Sequence, residues 1–240
     1  MTRILRIGNW TSRRGATLPN AEVRTFGIPL EVRTSDPRPE MGRGRLTSFR
    51  RFRAVDADEL LLWGKHSDAM LESYNLPLQT RDDARRWFMA RQSWADSQLY
   101  AVDSLAERRV IGYIGLRQID MVDRSSVLGI SFDPGTLGRG HGTDSLIAFL
   151  AYYFESWCYT AMYLDVAACN VRARRCYEKC GYRYAGQRWK SFIGDTRRAQ
   201  RSPVVQQNPE LFRLGGLHPC VLYYDMSLTR AGWLAHRAER

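Results

Sequence analysis

The chain has little lysine, no close pair of metal-binding cysteines and no long apolar run. Only Lys65, Lys179 and Lys190 stand among its 36 basic residues, so its positive charge is almost wholly arginine. Five cysteines, at 158, 169, 176, 180 and 220, make neither a CxxC pair nor a zinc-ligand set. Cys176 and Cys180 share a helical face with no histidine beside them, so they read as buried reduced thiols, and no metal is expected. No apolar stretch is long enough to span a bilayer, and there is no apolar leader. With an odd cysteine count, these absences point to a reducing, cytoplasmic setting and no membrane partner.

Charge is unevenly placed. Of the formal net charge of +11, residues 1–45 supply +5 (nine Arg against four acids) and residues 197–240 supply +4 (seven Arg against three acids). The body between is nearly balanced, so nucleic acid is not expected as the primary partner. The basic ends suit steering of an acidic partner or contact with a phosphorylated cofactor.

With 240 residues the chain can bury a full core, and one domain with extensions is the simplest division. Residues 1–45, scattered with Gly, Pro and Arg, read as a flexible basic arm. The folded unit then spans 46–230, and 231–240 reads as a tail. Within the unit, strand-like Leu46–Phe52 precedes a helix opening at Asp56 and carrying Leu60, Leu61, Trp63, Met70 and Leu71. Thr80 caps a second helix, with Asp83 at the position where a full capping box usually has Glu or Gln. Strands at 98–103, 110–119 and 125–132, separated by short turns, predict an antiparallel meander. Helix 143–157, strand 161–166, helix 170–180 and strand 181–186 follow, adding parallel pairing. Segment 195–217, with Pro203 and Pro209, reads as a long polar loop before a last strand at 220–226. The expected fold is therefore a mixed, mostly antiparallel α/β sheet flanked by helices.

Leu137-Gly-Arg-Gly-His-Gly-Thr143 is the richest segment. Its glycines stand between a strand and a helix, where backbone N–H groups and the positive helix end converge into a seat for a pyrophosphate. A dinucleotide fold would place such glycines after its first strand, with an acid about twenty residues on. Here they lie deep in the chain behind a meander. Asn170 opens a helix and can cap it or bind a ligand. Tyr177 lies two turns further along and can face the same cleft, with small Ala173 between them.

Four segments in this order resemble the GNAT superfamily of N-acetyltransferases, in particular the branch containing the ribosomal-protein N-terminal acetyltransferases. They are Val110-Ile-Gly-Tyr-Ile-Gly-Leu, Leu128-Gly-Ile-Ser-Phe-Asp-Pro, the glycine loop, and Asn170-Val-Arg-Ala-Arg-Arg-Cys-Tyr-Glu-Lys-Cys-Gly-Tyr182. The pattern covers residues 46–187, and Leu222–Leu228 resembles its final strand.

The resemblance implies acetyl-CoA as acyl donor, held at a splayed pair of strands by Ile130, Ser131, Phe132, Leu137, Gly138, Arg139, Gly140, His141, Gly142, Thr143, Asn170, Ala173 and Tyr177. It implies direct attack by an amine, a small molecule or a protein N-terminus, with Tyr177 protonating the departing thiolate. Leu137 replaces the polar residue usual before the first glycine, and Arg139 can compensate through a phosphate contact. Asp133, before the loop, is the first candidate base and can instead fix the Asp-Pro-Gly turn. Trp63, Tyr74, Trp87, Phe88 and Trp94 are candidates for an acceptor wall. A homodimer is compatible with the sequence. The competing class is a non-catalytic module of the same fold, binding protein or RNA through its basic ends.

Overall fold

Strand β3 (Gln98–Ser104) shows why this sheet is covered on both sides. Leu99 and Ala101 join one apolar cluster while Tyr100 and Val102 join another, and all four are buried. Alternation sends successive side chains to opposite faces, so two apolar sets on one strand require two covering layers. A computed structural model describes residues 40–239 apart from Trp94; the expected arm up to residue 39 and Trp94 lie outside the described residues.

The sheet runs β1 (Gly42–Arg43), β2 (Thr47–Arg51), β3, β4 (Val110–Asp120), β5 (Ser125–Phe132), β6 (Ala161–Ala167), β9 (Cys220–Thr229) and β7 (Arg183–Ser191). Short β8 (Phe212–Arg213) pairs with β9. Every pairing among the described strands is antiparallel except β5 with β6. The meander and the crossover into a mixed sheet follow the sequence reading. The last strand inserts between β6 and β7.

One face carries α3 (His141–Ala151), α4 (Val171–Lys179) and α7 (Arg230–Ala238) over a core of Phe49, Ile114, Leu146, Phe149, Met162, Tyr177 and Trp233. The other face carries α1 (Asp56–Glu59) and α2 (Arg81–Gln92) over Phe52, Trp87, Phe88 and Val110. A smaller cluster on that second face joins Met70 and Ala167 to Ala199, Val205 and Phe212.

Several boundaries differ from the sequence reading. Gly42 and Arg43, assigned to the arm, form β1 against β2. The first helix is a single α turn followed by a 3-10 turn at Leu60–Leu62, ending where Trp63 becomes extended. Residues between it and α2 are mostly irregular. The Thr80–Asp83 capping box is complete, because the shorter aspartate still accepts from the Thr80 N–H at 2.9 Å. After Ala151, α3 widens into a π-turn at Tyr152–Ser156.

The expected loop 195–217 contains α5 (Thr196–Gln200), α6 (Pro203–Gln207) and β8. Asp195 and Ser202 cap the two helices, a signal the prolines obscured. The expected tail is α7. Its Trp233 is 2% exposed and donates from Nε1 to Glu155 at 2.9 Å, docking the helix on the α3 side.

Asp144, in the first turn of α3, ties that helix to the β1–β2 turn. Its carboxylate accepts from the N–H groups of Arg45 (2.7 Å), Leu46 (3.0 Å) and Thr47 (2.9 Å) and from the Thr47 hydroxyl (2.7 Å). A Cβ on Gly44 would stand 2.3 Å from that carboxylate, so the turn needs glycine there. Arg45 and Leu46 are exposed and can turn to water, but Thr47 is fully buried. Asp144→Ala should therefore cost about 1.5–3 kcal/mol, mainly from the stranded Thr47 donors, measured by denaturant unfolding.

Candidate active site

Parallel pairing between β5 and β6 covers only Ser125–Val127 against Ala161–Tyr163, although β5 continues to Phe132 and β6 to Ala167. The strands therefore part in mid-sheet. β5 stays bonded to β4 on its other edge, so alternate backbone groups of Leu128–Phe132 face the gap without a strand partner. The gap is the floor of a cleft of about 700 Å³.

At one end of the cleft, Gly138 (φ +80°) and Gly140 (φ +87°) hold the left-handed backbone that turns the chain into α3. Gly140 is the N-cap and has no side chain to close the helix end, so the first N–H groups of α3 point outward. Nothing lies within 4 Å of the space a Gly138 Cβ would occupy. Such an open cluster of donors fits a pyrophosphate. Thr143 and Cys176 form one wall there, with 3.4 Å between Oγ1 and Sγ. The Cys176 thiol is held down to about 7, first by its hydrogen bond with Cys180, against the upward effect of burial.

At the other end, Asn170 caps α4 through Ala173 N–H (3.2 Å). Tyr177 is 8% exposed and reaches the cleft. Burial pushes its phenol well above the ordinary tyrosine range, with the charges of Cys176, Tyr74 and Asp165 adding to the shift, so it stays protonated.

Of the predicted cofactor residues, Ile130, Ser131, Phe132, Leu137, Gly138, Gly140, His141, Gly142, Thr143, Asn170, Ala173 and Tyr177 all line this cleft. Arg139 does not. Its exposed guanidinium turns to Glu107 at 3.4 Å, so the expected compensation for Leu137 is not seen.

Asp133 must also be corrected. It is 3% exposed, is not part of the cleft wall, and accepts from Gly64 N–H, Gly135 N–H and Arg109, each at 2.9 Å. Burial alone would raise its carboxyl, but those donors outweigh it and hold the group below its ordinary value. A carboxylate with its acceptor sites filled fixes the turn and is a poor base. Among the proposed wall aromatics that are described, only Tyr74 lines the cleft. Trp63 stacks on Tyr113, and Trp87 and Phe88 pack with Phe52.

The sequence reading missed His66, Arg117, Asp165 and Arg172 on the wall. His66 and Tyr74 arrive on the irregular stretch after α1, and Gly64 and Pro77 were the available signs that no helix runs there. Asn75 pins the His66 backbone from both sides, accepting its N–H at 2.7 Å and donating to its carbonyl at 3.0 Å. Burial, then the charge of Arg172, lowers the His66 imidazole below its ordinary value. Asp165 is bonded to Lys190 and lies 3.6 Å from Arg188.

A family profile described as an acetyltransferase (GNAT) domain matches residues 45–183, more than half of the chain. The chain belongs to the GNAT acetyltransferase family. It is an acetyl-CoA-dependent enzyme that transfers an acetyl group to an amine, and the alternative of a non-catalytic module is not favoured. No curated protein matches the chain.

Solved structures share the fold. A GCN5-related N-acetyltransferase from Brucella melitensis is 20% identical with TM-score 0.62, covering 85% of each chain. A spermidine N-acetyltransferase from Vibrio cholerae in complex with CoA and spermine is 18% identical with TM-score 0.58, covering 79% of this chain and 98% of its own. Identities this low speak for the fold alone. The ribosomal-protein branch gains no support from them. Among the described residues no group of His, Cys, Asp and Glu is arranged to hold a metal, and no helix is long and apolar enough to cross a membrane.

Asp133→Ala separates the two roles considered for that residue. The protein should lose about 2–4 kcal/mol of stability by denaturant unfolding, while kcat of the folded enzyme stays within threefold. The stabilisation is full above the ordinary carboxyl value of 3.8 and disappears as pH falls through the lower folded-state value.

Proposed function

We propose that this acetyltransferase acts on a small primary amine by direct attack, with Tyr177 as acid and His66 as proton acceptor. The observation that carries this reading is the splay of β5 from β6. It lies between the open N-terminus of α3 on one side and His66, Tyr74 and Tyr177 on the other. In this reading the N–H groups at Gly138–Thr143 hold the pyrophosphate. The free edge of β5 aligns the pantetheine arm and brings the thioester to Tyr177.

His66 is neutral at pH 7, because its pKa lies below the ordinary 6.5. It can take the proton from the entering amine directly or through one water. The amine nitrogen then bonds to the carbonyl carbon and the C–S bond breaks. Tyr177 gives its hydroxyl proton to the sulfur, and the phenolate is reprotonated by the proton the attacking nitrogen sheds as the amide forms. The Tyr177 hydroxyl makes no hydrogen bond to the described residues, so it is available to donate.

Among the described residues the lowered thiol of Cys176 is what favours a covalent route, and its position argues against one. Its Sγ lies 3.6 Å from where a Cβ on Gly142 would stand, under the phosphate cradle. The thioester belongs at the opposite end.

The acceptor side is lined by His66 and Tyr74, and the segment that carries them is tied from behind to α5 and α6. Ser202 Oγ donates to Asp68 at 2.9 Å, and Arg198 pairs with Glu72 at 2.7 Å, bridging those two segments. A bridged wall suits a small amine better than a protein N-terminus. The Vibrio cholerae enzymes named for spermidine make polyamines the first compounds for comparison.

Tyr177→Phe should lower kcat about 100-fold and leave acetyl-CoA affinity by calorimetry within threefold. Intact-mass measurement during turnover should show no acetylated chain. An acetyl adduct on the enzyme would replace direct attack with a covalent route. In the unaltered enzyme kcat should decline on an acid limb lying below the ordinary imidazole value of 6.5, because the His66 value is lowered from there, and His66→Gln should remove that limb.

A further inference from the structure

Two of the relevant charges lie on the sheet face that carries α1, α2 and the 195–214 segment. Side-chain alternation puts Arg117 of β4 on the same face as Tyr113, which packs with Phe52, Trp63 and Trp87. Asp165 of β6 falls on the face of Ala167, which packs with Met70 and Ala199. Arg172, at the first turn of α4, lies close enough to His66 and Tyr74 to influence both electrostatically.

Arg117, Asp165 and Arg172 all line the cleft. Asp165 is the only carboxylate on that wall among the described residues, and it is already engaged by Lys190 and Arg188. Neither Arg117 nor Arg172 has a hydrogen bond or an ion pair among the described residues. The acceptor end therefore carries two uncompensated guanidinium groups and no free anion.

A polyamine brings two or more positive charges and needs carboxylates to receive them. This wall offers the reverse. Guanidinium groups are planar forks of N–H donors matched to carboxylates, and they stay charged at every physiological pH. Arg117 is half-buried and Arg172 exposed, so both forks are open at the cleft wall to an anionic ligand.

We infer that the acceptor is a primary amine bearing a carboxylate a few bonds away, which Arg172, assisted by Arg117, holds while the amine faces His66. The inference rests on the proposed transferase reading and narrows it from small amines to amino-acid-type amines. Free amino acids and peptides with an acidic first residue share this chemistry. The carboxylate takes no part in bond making; it fixes register, so Arg172 is a specificity-determining residue.

The test is CoA release by the full chain with acetyl-CoA and matched acceptors: aspartate, glutamate and glycine, their amides, a peptide with an N-terminal Asp, and spermidine. The expected result is a kcat/KM for carboxylate-bearing amines about 10–100-fold above that for their amides, with spermidine poorer still. In Arg172→Gln that ratio should collapse about tenfold or more, with acetyl-CoA binding by calorimetry confirming a folded site. Preference for the free amino acids or for the peptide identifies which source of the shared chemistry is used, and either supports the inference. Acetylation of spermidine or of the amides at equal or higher efficiency overturns it while leaving the transferase reading intact. Release of CoA with no amine at all would overturn that reading and this inference together.

Discussion

The early end of parallel pairing between β5 and β6 is the constraint on which the site depends. After Val127 and Tyr163 the two strands run on without bonding each other. A sheet interior normally leaves no backbone donor or acceptor unpaired. Here the opposite edge of β5 is held by β4 through Phe132, so the strand keeps its shape while one edge stays open. The opening needs cover above and below, and the two layers of helices supply it. The donors that would be a defect in a closed sheet become a template for an extended ligand.

The same parting sorts the chemistry by end and by face. Both strands lead at their C-terminal ends into helices, so the N-termini of α3 and α4 flank the gap. At α3 the absence of a capping side chain leaves N–H groups exposed, whereas at α4 Asn170 fills the equivalent role. One helix end is thus open to an anion and the other is closed and positions a side chain. Asp144 fastens α3 to the β1–β2 turn, which holds the open end in place. The opposite sheet face receives His66 and Tyr74, with Arg172 of α4 near His66 and the 195–214 segment bridged to the 66–75 stretch through Ser202 and Asp68. In the proposed reading, donor and acceptor approach from opposite sides and meet where the strands separate.

Much of this was legible in the sequence because it is local. The meander, the glycine turn, Asn170 as a cap and Tyr177 two turns later depend on short-range periodicity and backbone conformation. The proposed cofactor half of the site is built from contiguous segments for that reason. The acceptor half is not. Asp133 looked like a base from its place before the loop, but its role is fixed by Gly64 and Arg109, residues 69 and 24 positions away. His66 stood inside an apolar run that reads as a helix until Gly64 and Pro77 are given their weight as breakers. Segment 195–217 looked unstructured because its helices are five residues each, too short for periodicity to register. Trp233 gave the tail away only through a partner, Glu155, on a distant turn. Charge compensation is equally non-local: nothing in the sequence distinguishes Asp165, which is paired, from a carboxylate left free for an amine.

Amide hydrogen exchange with and without acetyl-CoA tests the central claim most directly. If the parted strands receive the acyl donor, saturating acetyl-CoA slows exchange at the gap-facing amides of Gly129–Phe132 and at His141–Thr143, with no comparable change in α2 or α7. Unaltered exchange in both segments of a chain shown to bind acetyl-CoA, or protection confined to another part of the sheet, would contradict the account.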